Sequence, residues 1–147
     1  MNQEFTRLRT LNPAHQFTIL LSATRRGARL ARLLTREQLR SWGTPFEDGE
    51  QIVAELANNA VLHGHVPGRS FRLVLTLAAT DTLRIEVTDA RAEELPREAG
   101  LPVADAESGR GLFLVEAYAD RWGTEPGPAP CKTVWAEIDA VAAGRGT

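Results

Sequence analysis

The chain has 147 residues, 43% of them hydrophobic and 24% charged, with a formal net charge of −2. These are the values of a single folded domain large enough to bury its own core, and they argue against chain-wide disorder and give no global sign of a nucleic-acid partner. One cysteine, Cys131, excludes an internal disulfide and a cysteine-built metal centre.

The charge is uneven along the chain. Residues 1–40 hold eight Arg against Glu4 and Glu37, whereas residues 41–147 hold nine basic and seventeen acidic residues. Such asymmetry marks a candidate interaction surface. The N-terminal MNQEFTRLRT lacks the apolar core of a secretory signal, and the longest apolar run, FTILL at 17–21, is too short to cross a bilayer. A cytoplasmic protein without membrane contact is expected.

Residues 1–16 show no clean period and read as a loosely held arm. FTILLSA (17–23) has strand composition. From Thr24 to Trp42 the pattern turns helical, with Leu30, Ala31 and Leu34 on one side and Arg25, Arg29, Arg32, Arg36 and Arg40 on the other; Gly43 and Pro45 end it. A second helix is expected from Phe46 to His63, closed by Gly64, with Ile52, Val53, Leu56 and Ala60 as its buried stripe. Two alternating runs follow, FRLVLTL (71–77) and LRIEVTD (83–89), joined by AATD as a hairpin loop. Residues 90–108 fit neither period, contain two prolines and read as a long lid-like loop. GRGLFLVEAYAD (109–120) resumes a helix with Leu112, Val115 and Tyr118 or Ala119 inward, and RWGTEP with CKTVWAEID forms a closing hairpin. A folded domain over 17–140 and a frayed tail at 141–147 complete the division. Alternating strands with one polar face, together with helices, imply an α+β fold in which helices cover one face of a sheet.

Four pieces of this chain carry candidate chemistry. Glu55 and Asn59 lie one turn apart on the margin of the second helix's apolar stripe, either as solvated polar residues or aimed at a ligand. An Asn carbonyl is a hard oxygen donor suited to Mg²⁺, and a Glu one turn earlier is placed to take a proton. Asp89 ends an apolar strand, where it is either a turn residue or a fixed acceptor for an exocyclic amine. Gly109-Arg110-Gly111 begins a helix, whose unpaired N–H groups and positive dipole end favour phosphate. Lys132-Thr133 enters the last strand. His63 and His65 stand two apart with no suitably spaced third ligand, so no zinc site is expected. No Gly-x-x-x-x-Gly-Lys-Ser/Thr sequence occurs, which excludes a P-loop.

In this order, ELANNAVLHG (55–64), LRIEVTD (83–89), SGRGLFLVEAYADRWG (108–123) and CKTVWAEI (131–138) resemble the histidine-kinase-like (GHKL, Bergerat-fold) ATPases, and within them the anti-sigma-factor serine/threonine kinases and their actinobacterial ATP-binding relatives. The resemblance runs from about Phe17 to Ile138. It implies a two-layer α/β sandwich with a mixed, mostly antiparallel sheet covered on one face by helices. It implies ATP and Mg²⁺ as cofactors, with Asn59 holding the metal and Glu55 as general base. Asp89 would bind the adenine amine with Thr133 in support, and Gly109, Arg110, Gly111 and Leu112 would close over the phosphates. Positioning and electrostatics of this kind are most of what phosphoryl transfer needs from a protein. The expected function is an ATP-dependent serine/threonine kinase acting on an anti-sigma factor antagonist and sequestering a sigma factor, as a homodimer. One departure stands out: the family's Asp-x-Gly is here Asp89-Ala90-Arg91. A non-catalytic interaction module with a degenerate nucleotide site is the alternative. Direct nucleic-acid binding through the arginine stripe is not expected, because no aromatic array accompanies it and the rest of the chain is acidic.

Overall fold

The computed structural model describes residues 13–64, 68–89, 112, 114–126 and 131–139. Along the chain run β1 (Pro13–Ser22), α1 (Arg25–Ser41), α2 (Glu47–Gly64), β2 (Ser70–Ala78), β3 (Leu83–Asp89), β4 (Arg121–Pro126) and β5 (Lys132–Ile138). A further helix, α3, comprises Leu112 and residues 114–118. The five strands form one sheet in the order β1-β2-β3-β5-β4, and every neighbouring pair is antiparallel. The architecture is α+β, with helices on one face, as the resemblance implies.

Alternation decides which face is which. Phe71, Leu73 and Leu75 on β2 and Leu83 and Ile85 on β3 are fully buried, and Val134, Ala136 and Ile138 continue the same face on β5. Each such aliphatic or aromatic side chain contributes about 1.5–3 kcal/mol by leaving water. The β2–β3 turn closes through Asp81, whose φ of 70° is tolerated because Asp is among the few residues that visit the left-handed region.

Strand β1 begins at Pro13, four residues earlier than FTILLSA indicates, and His15 stacks on Trp42 with ring centroids 5.0 Å apart. That contact ties the start of the sheet to the C-terminal end of α1. Thr24 caps α1, its hydroxyl accepting from the Gly27 N–H at 3.1 Å. Gly27 itself is required by space: a Cβ there would lie 1.9 Å from the Ser22 carbonyl oxygen. At the other end Gly43, with φ +71°, turns the chain out of the helix.

The inward face of α1 differs from the sequence reading in one respect. Ala28, Ala31, Thr35 and Leu39 are buried and Leu34 is half-buried, while Leu30 is 41% exposed. The packed stripe follows steps of three and four from Ala28, and Leu30 falls off its edge. The arginine stripe is also not uniformly solvated. Arg32 and Arg36 reach across to Glu50 on α2, with Arg36 Nη2 3.0 Å from Glu50 Oε2. Burial alone would push the Glu50 carboxyl up, but the hydrogen bonds and charges of Arg36 and Arg32 outweigh it and hold the group below its ordinary value.

The sheet's other face carries a charged network beside Trp135. Glu137 is fully buried and receives Arg84 Nη1 and Arg121 Nε, each at 2.9 Å. Arg84 also lies over the Trp135 ring, 4.5 Å from its centroid, and Trp135 in turn fills the space left by the missing side chain of Gly123.

Candidate functional site

Helix α2 points Ile52, Val53, Leu56, Ala57 and Ala60 into the core, all at 3% exposure or less. Glu55 and Asn59 each precede one of these buried positions, so they stand one above the other on the margin of the stripe, and both are half-buried. The margin predicted from spacing is therefore real. Burial pushes the Glu55 carboxyl above its ordinary value. A carboxylate so placed is a better proton acceptor than one in open water.

Strand β3 passes along the face that α2 covers. Leu83, Ile85 and Val87 point to the core, and the same parity carries Asp89, the last residue of the strand, to that side, where it is 5% exposed. A carboxylate buried at a strand end beneath a helix is costly without a partner. One is supplied by β5: Lys132 is the register partner of Asp89, is equally buried, and sets its Nζ 3.9 Å from Asp89 Oδ2.

Thr133 lies elsewhere. Its register partner is Thr88, and the two hydroxyls are 2.7 Å apart on the face of the sheet away from α2. The structure thus does not bring Thr133 to Asp89; Lys132 occupies that place. The reason is strand parity, and it was available in the sequence. Val134, Ala136 and Ile138 alternate as inward residues, which sets Lys132 inward and Thr133 outward.

Leu112 rests against the core and Val115 is fully buried, so α3 docks on the same layer as the other helices. Gly109, Arg110, Gly111 and the lid-like segment 90–108 lie outside the described residues. Among the described residues no group of three or more His, Cys, Asp or Glu could hold a metal ion by itself. A divalent cation here would take one protein oxygen and complete its shell with water and phosphate, the usual habit of Mg²⁺. Among the described residues no helix is long and apolar enough to cross a membrane.

The described residues thus set a helix-covered sheet face with an acid at one strand end, a Glu and an Asn one turn apart on the overlying helix, and a third helix alongside. The family model of the histidine kinase-like ATPase domain matches residues 21–137, and the chain belongs to that family. No curated protein matches the chain in sequence. Among solved structures, the RsbU and RsbW domains of Rv1364c from Mycobacterium tuberculosis are similar at a TM-score of 0.65 and 23% identity. That likeness covers 86% of this chain but 33% of the other, so the chain spans a third of its length. The SiaB–SiaC complex from Pseudomonas aeruginosa is similar at a TM-score of 0.60 and 16% identity, over 94% of this chain and 96% of that one. At these identities the likeness is one of fold.

Proposed function

We propose that the protein binds ATP with Mg²⁺ between α2 and the end of β3, and phosphorylates a serine or threonine of an anti-sigma factor antagonist. In this reading it also sequesters a sigma factor, and it works as a homodimer. The observation that carries the proposal is Asp89: a carboxylate buried at the end of β3, on the one sheet face that a helix bearing Glu55 and Asn59 covers. Membership of the ATPase family supports the nucleotide. The fold shared with an RsbW domain and with the SiaB–SiaC complex supports the regulatory branch.

Each residue then has a task. Asp89 accepts a hydrogen bond from the exocyclic amine of adenine. Asn59 offers its side-chain oxygen to the metal, which supplies positive charge against the triphosphate. Glu55, made more basic by its half-buried setting, takes the proton of the attacking hydroxyl. Gly109, Arg110, Gly111 and Leu112 supply backbone N–H groups at a helix start to the phosphates. Thr133, on the opposite face, acts only by fixing β5 to β3 through Thr88.

Calorimetric titration of Mg·ATP into wild type, Asn59→Ala and Asp89→Ala tests the site. Micromolar binding by wild type and its loss in both variants is the expected result, followed by labelling of an antagonist protein from γ-labelled ATP. Absence of binding by wild type at millimolar ATP would leave a fold kept for protein interaction, and Glu55 would have no catalytic task.

A further inference from the structure

We propose that β1 is a dimerisation edge: two copies of the chain pair their β1 strands antiparallel about a two-fold axis through Thr18 and join their five-stranded sheets into one. This pairing gives the homodimer of the functional reading its interface, and it rests on that part of the reading and not on the nucleotide. The two edges of the sheet are unlike. Strand β4 is six residues long and carries Arg121, Glu125 and Pro126, the charges and proline that keep an edge from pairing. Strand β1 is ten residues long, and its only guards, Pro13 and the irregularity between Pro13 and His15, sit at its start. From Gln16 to Ser22 no residue is charged, and among the described residues no strand pairs with its outer side. A long, uncharged edge of this kind templates the addition of another strand.

The phase of the ladder fixes which groups β1 offers. In an antiparallel pair alternate residues bond the neighbouring strand, and those between them point away. The Ala23 N–H donates to the Arg69 carbonyl at 3.2 Å, so Leu21, Ile19 and Phe17 share its phase and bond β2. Gln16, Thr18 and Leu20 therefore turn their N–H and C=O groups outward. Ser22 has the same phase, but its carbonyl accepts from the Thr24 N–H at 2.8 Å, which closes that end of the strand. A two-fold axis through Thr18 pairs the three outward residues with one another. Thr18 meets Thr18 of the second copy and Gln16 meets Leu20, each N–H donating and each C=O accepting. The same register sets Phe17 opposite Ile19 of the second copy on the helix-covered side. Both are half-buried and packed against the core, so the pairing completes a cover that one chain leaves open. On the other face Leu20, 62% exposed, meets the stem of Gln16. A surface that binds its own copy must tolerate its own charge, and this strand sets no like charges against each other.

Sedimentation equilibrium of the full chain tests the edge, and wild type is expected to be dimeric at micromolar concentration. Thr18→Pro removes an N–H that faces away from β2, and should weaken dimerisation by about tenfold or more while thermal melting still shows a folded chain. If that variant does not fold, Thr18→Lys sets two like charges across the axis and should be monomeric, as should Thr18→Asp. Mixed together, the Thr18→Lys and Thr18→Asp chains should form a heterodimer, because pairing through Thr18 brings position 18 of both copies face to face. A monomeric wild type overturns this inference and the homodimer, and leaves the nucleotide reading standing. A wild-type dimer that none of the substitutions weakens overturns the β1 interface and leaves the homodimer. Failure of the oppositely charged chains to pair when mixed overturns the register through Thr18.

Discussion

Glu55 shows how much a single side chain's setting matters. Its spacing from Asn59 and its neighbour Leu56 already put it on the edge of a buried stripe, and the structure leaves it half-buried there. Desolvation favours the neutral acid, so its carboxyl titrates above the usual glutamate range. The sign is definite: the form able to accept a proton is present above that raised value and lost below it. Phosphoryl transfer to an antagonist should therefore climb with pH through a value above that of ordinary glutamate and then level off. Glu55→Gln should lower the rate by about 10²-fold or more without that limb, while ATP affinity stays within a few-fold. Single-turnover rates across pH, with calorimetry on the same samples, check it; an unchanged rate in the Gln variant removes Glu55 from the chemistry. Asp89 was equally legible as an acid at a strand end. Parity with Val134 and Ala136 sets Lys132, not Thr133, on the inward face beside Asp89.

At the scale of elements, the periods of α2, β2 and β3 were readable because one face of each is apolar without interruption. Ile52, Val53, Leu56 and Ala60 are all buried, as are Phe71, Leu73, Leu75 and Leu77. Helix α1 was less transparent. Its buried face is built largely of small residues and a threonine, Ala28, Ala31 and Thr35, whose hydropathy does not stand out against Leu30 and Leu33 on the exposed side. Nor does periodicity reveal that two of its arginines have a partner fourteen and eighteen positions away. That partner, Glu50, joins α1 to α2, and its lowered pKa makes the joint pH-dependent. The stabilisation is present in full above the ordinary glutamate value of about 4.3 and is lost as pH falls through the depressed folded value. Both arginines are more than a third exposed, so screening reduces what the pair is worth. Glu50→Gln should cost about 1 kcal/mol near neutrality by urea melts, and wild type and variant should converge in strong acid. A constant difference across that range would mean that packing, not charge, sets the contribution of Glu50.

For the whole molecule, the two faces of the sheet divide the work. One face holds the apolar core and the Asp89–Lys132 end, and the other holds Arg84, Glu137, Arg121 and Trp135 where a simple alternation rule expects solvated polar residues. The outer network links three strands, two of which carry the site, since Arg84 is on β3, Glu137 on β5 and Arg121 on β4. Its composition in the sequence, isolated charges in strands, could not show that Glu137 is fully buried, because burial there comes from the neighbouring arginines and Trp135 rather than from hydropathy. Arg121 is held so firmly in its charged form by Asp139, against some desolvation and with further help from Glu137, that it is a permanent cation. Arg84, at 6% exposure, is shared between two carboxylates, Glu86 on its own strand and Glu137 on β5, so without Glu137 its guanidinium would keep its desolvation cost and lose one of the two charges that offset it. Removing one member of a buried pair costs about 3–5 kcal/mol, whereas replacing both with apolar residues of similar size is often much cheaper. Glu137→Leu should accordingly destabilise the protein by about 3 kcal/mol in denaturant melts. Arg84→Met combined with Glu137→Leu should recover at least half of that loss, leaving Arg121 bound to Asp139. Because the same strands carry Asp89 and Lys132, ATP affinity should fall in Glu137→Leu and return with stability in the double variant. Simple additivity of the two substitutions would show that Arg84 and Glu137 are held independently, and that the outer face does not brace the site.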